Sequence, residues 1–401
     1  MQLTNLISDA SDRLKKRVRR SELMYSHYYS EQLGLPLHFK CENLQRTGSF
    51  KIRGALNFMT SQSREQLKNG VITASAGNHA QGVAFSADLL SVAATVYMPE
   101  ITPPQKVQAT RDYGAHVVLT GRNFDEACAA AMAAQQESGA LFVHPFNDEL
   151  VMAGQGTIGL EIIEELPDLR NIIVPVGGGG LIAGIAAALR ERVPHVRIIG
   201  VESEAAPSMS ASFAAGTPTE QPVRATLADG IAVKLPGSKT VPVICSLVDE
   251  IVQVAEEDIA LAIVSLLEKT KMLVEGAGAV TLAAVLNKRI PHLEGKTVCL
   301  LSGGNIDVKT IAQVVERGLI AGGRYLKLVV ELEDHPGALA LLADTIAVTR
   351  ANIFHITHDR RSKSLTIGRT VVSLELETRG YEHIKDIVTH LQEKGYSLTV
   401  V

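Results

Sequence analysis

The sequence predicts an α/β chain with two lobes built on mainly parallel sheets, followed by a separate small domain. Three observations predict it. From about residue 70, short β-branched runs alternate with longer helical patterns, the mark of β-α-β units. The same rhythm resumes near residue 171. From residue 326 the order changes to β-α-β-β-α-β, that of the ferredoxin-like split unit.

In chain order, the first lobe reads strand 71–75, helix 78–90, strand 92–98, helix 103–112, strand 115–120 and helix 123–138. The second reads strand 171–176, helix 179–192, strand 196–202, two helical stretches between 257 and 287, and strand 297–302. Residues 203–243 carry five prolines and read as one long irregular segment, a length usually kept for function. A helix near 307–321 leads to Gly322-Gly323, after which come strand 326–332, helix 337–348, strands 353–358 and 365–376, helix 380–393 and strand 396–401. The expected division is therefore 1–322, with a small lobe at about 46–145 inserted in the larger one, and 325–401.

The 401 residues are 46% apolar and 20% charged, enough to bury large cores, and the net charge of -4 offers no basic field for nucleic acid. Cys41, Cys128, Cys245 and Cys299 form no C-x-x-C pair, so a reduced, cytoplasmic setting is expected, without disulfides or structural zinc. No apolar run approaches the ~20 residues of a membrane span. The basic stretch 13–20 lacks the apolar segment of a secretory signal and reads as a solvated helix face.

Glycine-rich turns follow three apolar runs: Ser75-Ala76-Gly77-Asn78-His79, Gly177-Gly178-Gly179-Gly180-Leu181 and Ser302-Gly303-Gly304-Asn305. At the carboxyl ends of parallel strands such turns present free N–H groups to anions; each alone reads more often as a plain tight turn, and it is their joint occurrence that points to a ligand. The tetraglycine, with Glu202 ending the next strand, loosely resembles a dinucleotide fingerprint, but four consecutive glycines suit a terminal phosphate better than a pyrophosphate. A nucleotide-binding dehydrogenase is the rival that reading keeps open. Lys51, between Phe50 and Ile52 at the apparent start of a helix, is the candidate reactive amine, since desolvation would lower its pKa toward Schiff-base chemistry.

Five segments, in order and spacing, carry a resemblance over nearly the whole chain: KCENLQRTGSFKIRGA (40–55), SAGNHAQGVA (75–84), VGGGGLIAG (176–184), EGAGA (275–279) and SGGN (302–305). They resemble the fold type II (tryptophan synthase β-like) pyridoxal phosphate enzymes, specifically the threonine dehydratase, or threonine ammonia-lyase, group with its serine dehydratase and serine racemase relatives. Residues 326–401, with Asp334-His335-Pro336-Gly337, resemble an ACT domain, a module that binds amino acids. By that resemblance Lys51 carries pyridoxal 5'-phosphate as a Schiff base, with Phe50 beside it. Asn78 meets the ring hydroxyl, Gly177, Gly178, Gly179, Gly180 and Leu181 cradle the phosphate, and Ser302 faces the pyridine nitrogen. Ser75, Ala76, Gly77, Asn78 and His79 take the substrate carboxylate, and Glu275 lies near the ring without an assigned role.

The implied reaction is elimination of water from L-threonine or L-serine, giving a 2-oxo acid and ammonia. Racemases of the group need a hydroxyl where this chain has Ala76, so elimination is expected over racemisation. A serine-preferring dehydratase and a serine racemase are the alternatives in chemistry, and an inert catalytic lobe on an amino-acid sensor is a third class. The cation site of some relatives maps onto Glu202, Ala206 and Ser208, where Ser208 replaces the acid that a hard divalent cation prefers. Asp334, Pro336, Gly337 and Asn352 are the expected effector contacts, shared between two copies in a homo-oligomer, a dimer or tetramer.

Overall fold

The computed structural model describes residues 2–360 and 366–401. Two compact units are formed, residues 1–311 and 312–401.

Within the first unit, a four-stranded parallel sheet runs in the order His116–Leu119, Ala94–Met98, Val71–Ala74, Leu141–Phe142. The helices Asn78–Leu89, Pro104–Asp112 and Phe124–Ser138 make its crossovers. Local chemistry bounds the last of these: the Asn123 side chain accepts from the Glu126 N–H at one end, and Gly139 adopts φ 69° at the other. The larger sheet has the order Leu23–Tyr25, Leu37–Cys41, Thr297–Leu301, Asn171–Pro175, Arg197–Ser203, Glu250–Val254, parallel except for its first pair. Its central strands Thr297–Leu301 and Asn171–Pro175 are buried at every position, as strands covered on both faces must be. The small sheet's chain lies between the second and fourth strands of the large one. This is the two-lobed α/β architecture the sequence predicts.

Residues 203–243 differ from the expected irregular segment. They contain the helix Ser208–Ala215, a 3-10 turn Asp229–Ile231 and the start of the helix Thr240–Leu247. The prolines do not oppose this. Pro207 precedes the first turn of one helix and Pro242 is the third residue of the other, where no intrahelical N–H is needed.

One helix, Glu149–Glu165, ties the unit together by glycine contacts. A Cβ on Gly154 would stand 2.4 Å from the Arg53 carbonyl oxygen in the helix Lys51–Thr60. A Cβ on Gly184, in the helix Gly180–Arg190, would stand 2.1 Å from the Met152 carbonyl oxygen, and one on Gly156 would stand 2.7 Å from that of Gly184. Backbone therefore meets backbone on both sides of this helix, a closeness that only glycine permits.

Beside these contacts lies a buried ion cluster. Arg53 engages Glu42 through Nε (2.9 Å) and Nη2 (2.8 Å), and Glu161 through Nη1 (2.6 Å) and Nη2 (2.9 Å). Lys40 Nζ completes it at 2.7 Å from Glu161. Two cations face two anions, and the side chains of Arg53, Glu42 and Lys40 are fully buried. Burial raises the Glu42 carboxyl, but the Arg53 charge and hydrogen bonds outweigh it and hold the group below its ordinary value.

The second unit has a four-stranded antiparallel sheet in the order Asn352–Asp359, Arg369–Glu377, Tyr325–Glu333, Ser397–Val400. Alternate residues Leu326, Leu328, Val330 and Leu332 pack with Leu342 and Ile346 of the helix Ala338–Val348 and with Ile387 and Leu391 of the helix Tyr381–Glu393. The order is that of the ferredoxin-like unit. The expected start of one strand at residue 365 lies outside the described residues. The division between units falls inside the helix Val308–Ala321 rather than after Gly322. The end of that helix belongs to the second unit: the Tyr381 hydroxyl donates to the Ala321 carbonyl at 2.6 Å, and Lys327 Nζ lies 3.6 Å from Glu316.

The ion cluster generates a stability prediction. Arg53→Met should lower the unfolding free energy in urea by about 3–5 kcal/mol, because Glu42 is left buried without its countercharge. Adding Glu42→Gln should restore part of the loss; a single-variant loss within experimental error would contradict the assignment.

Candidate active site

The strands Val71–Ala74, Asn171–Pro175 and Thr297–Leu301 each run into one of the three glycine turns, so all three turns lie at carboxyl ends of parallel strands. A cleft of about 680 Å³ is lined by Lys51, Ser75 to His79, Glu275 and Asn305. A narrow pocket adjoins it, lined by Phe50, Lys51, Phe146, Gly177 to Leu181 and Ser302. Lys51 belongs to both.

Lys51 opens its helix because the preceding segment is pinned. Ser49 forms a β-bridge with Gly303, the Phe50 N–H donates to the Ser302 carbonyl at 3.1 Å, and the Gly304 N–H donates to the Gly48 carbonyl at 2.9 Å. Gly48 has φ 70°, and a Cβ there would meet Asn305 Oδ1 at 2.2 Å. Lys51 Nζ donates to the Pro145 carbonyl at 3.0 Å. Burial pulls its pKa down to about 8, and the Glu275 charge only partly opposes this. The amine is thus poised near neutrality, as nucleophilic and general-base lysines require.

Glu275 stands at the start of the helix Gly276–Leu286, and its carboxylate accepts from Asn78 Nδ2 at 2.7 Å. Burial, then the charge of Asp229, pushes its carboxyl up to about 8. Asn305 Nδ2 donates to Asn78 Oδ1 at 2.8 Å and to the Thr47 carbonyl at 2.7 Å. The Asn78 amide is thereby oriented from both ends. Ser75, Ala76 and Gly77 lead into the helix Asn78–Leu89 and are half-buried along the cleft. The expected part of His79 in carboxylate binding is that of a backbone N–H in the first turn of this helix; its ring is buried, with Nε2 2.9 Å from the Val143 carbonyl oxygen, and burial followed by the Lys51 charge lowers it to about 3. It is a neutral wall residue.

The tetraglycine follows from packing on different neighbours. A Cβ on Gly177 would stand 2.9 Å from Ile231 backbone, on Gly178 2.3 Å from the Phe146 ring, and on Gly180 2.9 Å from the Phe146 carbonyl oxygen, while Gly179 has φ 93°. Among the described residues, none of the N–H groups of Gly177 to Leu181 donates to a protein acceptor, and they precede or begin the helix Gly180–Arg190. That is a nest for an anion.

The remaining candidates lie elsewhere. Glu202 accepts from the Met209 and Ser210 N–H groups and from Gln253 Nε2, and Ser208 donates to the Val233 carbonyl. With Glu202 accepting N–H groups of the first turn of the helix Ser208–Ala215, the dehydrogenase reading loses its ribose-binding acid. Among the described residues no cluster of three or more His, Cys, Asp or Glu is arranged to hold a metal. In the second unit, Asp334 pairs with Arg360 at 3.2 Å and Asn352 donates to Glu377 at 3.0 Å. Gly337, after Pro336, has φ 95° and precedes the helix Ala338–Val348. Asp334 follows the end of the strand Tyr325–Glu333, whereas Asn352 pairs with Glu377, itself opposite Tyr325. One chain therefore holds Asp334 and Asn352 at opposite ends of the sheet, about 25–30 Å apart by strand rise.

Residues 14–303 match the model of the pyridoxal-phosphate dependent enzymes. This chain belongs to that family. The L-threonine ammonia-lyase of Geobacter sulfurreducens is 72% identical over 99% of this chain and 98% of its own length. A structure of the processed form of threonine deaminase isoform 2 from Solanum lycopersicum superposes with a TM-score of 0.76 at 39% identity, over 79% of this chain and 93% of that one. Maize serine racemase gives 0.75 at 36% identity, over 79% of this chain and 98% of its own. The residues present fit the cofactor of a pyridoxal-phosphate dependent enzyme: an amine near pKa 8 for its aldehyde, an unpaired N–H nest for its phosphate and a narrow pocket joining the two.

Sequence reasoning missed Pro145 and Phe146 as parts of the site, and named Asn305 only as the end of a glycine turn, without its hold on Asn78. Only the helix-breaking Pro145 left a local signal, and it said nothing of Lys51, 94 positions away in the chain.

Proposed function

We propose that this chain is an L-threonine ammonia-lyase, converting L-threonine to 2-oxobutanoate and ammonia, and L-serine to pyruvate and ammonia. The observation that carries the reading is the Lys51 amine, lowered to about 8, held between the N–H nest of Gly177–Leu181 and the Ser75–Gly77 turn. Pyridoxal phosphate, when bound, supplies an electron sink for negative charge developing at the substrate α-carbon. Lys51 would hold it covalently, Gly177 to Leu181 would bind its phosphate, Asn78 would meet its ring hydroxyl and Ser302 its ring nitrogen. The Ser75–Gly77 backbone binds the substrate carboxylate. Lys51 Nζ, when free, would remove the substrate α-proton, and the Pro145 carbonyl, by accepting one N–H, would steer the amine lone pair away from itself. The α-proton and the β-hydroxyl would depart as the elements of water, and the enamine left would tautomerise to an imine that takes up water to give the 2-oxo acid and ammonia.

Ala76 gives no side-chain acid at the position just before Gly77-Asn78-His79, and this favours elimination over racemisation. For the second unit we propose an ACT-type module. If the edge strands Asn352–Asp359 of two copies run antiparallel, Asn352 of each comes to the end of the sheet where the other copy's Asp334 turn lies. A small amino acid such as isoleucine or valine would bind there in a homo-oligomer and alter activity by favouring one arrangement, with a coupling of about 1–3 kcal/mol. The four cysteines are free, in keeping with a reduced cytoplasmic setting, and no helix of the described residues is long and apolar enough to cross a membrane.

Lys51→Ala should reduce threonine turnover by about 10³-fold or more while far-ultraviolet dichroism stays unchanged, because nucleophile and base are lost together; substantial remaining turnover refutes the mechanism. Ala76→Ser should raise serine racemisation relative to elimination in a chiral product assay. For the effector, calorimetry on the Lys51→Ala protein should detect isoleucine or valine binding; silence with all twenty amino acids removes the regulatory reading.

A further inference from the structure

The turn after Val143 is a hub that the elimination chemistry leaves unexplained. His144 Nδ1 accepts two backbone N–H groups, from Phe146 at 3.2 Å and Asn147 at 2.8 Å. Two donors on one nitrogen leave no room for a proton there, so the ring is neutral and its hydrogen sits on Nε2. The ring also stacks edge-on against Phe146, centroids 4.8 Å apart. Everything downstream of this staple touches the site. Pro145 offers the carbonyl that takes Lys51 Nζ, and the Phe146 ring occupies the space that a Cβ on Gly178 would need. Asn147 Oδ1 accepts the Lys239 N–H at 2.7 Å, which locks the turn to the Gly237–Thr240 segment, whose Thr240 hydroxyl donates to the Gly178 carbonyl at 2.7 Å.

We propose that His144 is a positioning residue: its unprotonated Nδ1 staples the 145–147 turn, and through it sets both the carbonyl that holds Lys51 and the aromatic floor of the glycine cradle. Burial, and then the charges of Lys51 and Lys239, lower the imidazole to about 4, and His79 is the other titratable ring close by. An unfolded histidine titrates near 6.5, so the staple is complete above that pH and erodes as pH falls toward 4. A proton on Nδ1 would point at two N–H donors and open the turn.

The inference rests on Lys51 being the reactive amine, but its test has a readout independent of turnover. His144→Asn keeps an acceptor where Nδ1 stands, whereas His144→Phe keeps the ring and removes the acceptor. Deuterium exchange of peptides covering 144–150, cofactor release into cofactor-free buffer, and kcat and KM for threonine are measured on the loaded enzymes. The Asn variant should stay within about threefold of wild type in all three, while the Phe variant should exchange and release at least about tenfold faster and lose about 10- to 100-fold in kcat with less change in KM. Equal behaviour of Phe variant and wild type, or equal damage in both variants, overturns the proposal. Should the Phe variant not fold, acid exchange decides. Wild-type protection of these amides must fall between pH 6.5 and 4 more steeply than that of the Asn variant, and parallel curves overturn it. If wild type does not turn over threonine, the ammonia-lyase reading fails while the exchange result still judges the staple.

Discussion

The site depends on one steric constraint, the passage of the helix Glu149–Glu165 between two others at backbone contact. On one side Gly154 lies against the Lys51 helix, and on the other Gly156 and Gly184 bring it against the helix that begins in the tetraglycine. The amine and the anion nest come from opposite lobes of the chain, yet their separation is set by three helices that have no side chains left to compress. Close-packed interiors transmit displacement, and here the contacts run from backbone to backbone. A methyl group at Gly154 or Gly184 would move backbone rather than a rotamer.

Upon that frame the electrostatics of the cleft follow from exclusion of water. Lys51, His79 and Glu275 all shift toward their neutral forms, and burial is the largest cause in each case. The charged forms find only partial compensation inside the cleft, Lys51 from Glu275 and Glu275 from Asn78, and burial outweighs it. Behind it the balance is opposite: Arg53, two residues along from Lys51, is held charged by two carboxylates. A neutral, titratable face and a permanently ionised anchor thus share one helix of ten residues.

Much of this was legible because it is local. Strands such as Asn171–Pro175 announce themselves as buried apolar runs, and the glycine turns sit where strand gives way to helix. The two- and three-residue strands Leu141–Phe142 and Leu23–Tyr25 carry too little pattern to be seen, and they exist because neighbouring strands offer them partners. The prolines at 207 and 242 misled for a definite reason: they mark helix starts as readily as helix breaks. Gly154-Gln155-Gly156-Thr157-Ile158-Gly159 has the spacing of a dinucleotide fingerprint and lies wholly within a helix, where its glycines serve packing. Links such as Lys51 to Pro145 or Arg53 to Glu161 join residues about a hundred positions apart, and only the tertiary fold brings them together.

The Arg53 cluster also bears on temperature. Hydration of charged groups becomes less favourable on heating, so the desolvation cost of a buried ion group shrinks as apolar stabilisation levels off. The foundation of the Lys51 helix is therefore made of contacts that gain relative strength when the protein is warmed. On heating, the seat of the reactive amine thus keeps more of its hold than the purely apolar contacts of the unit do.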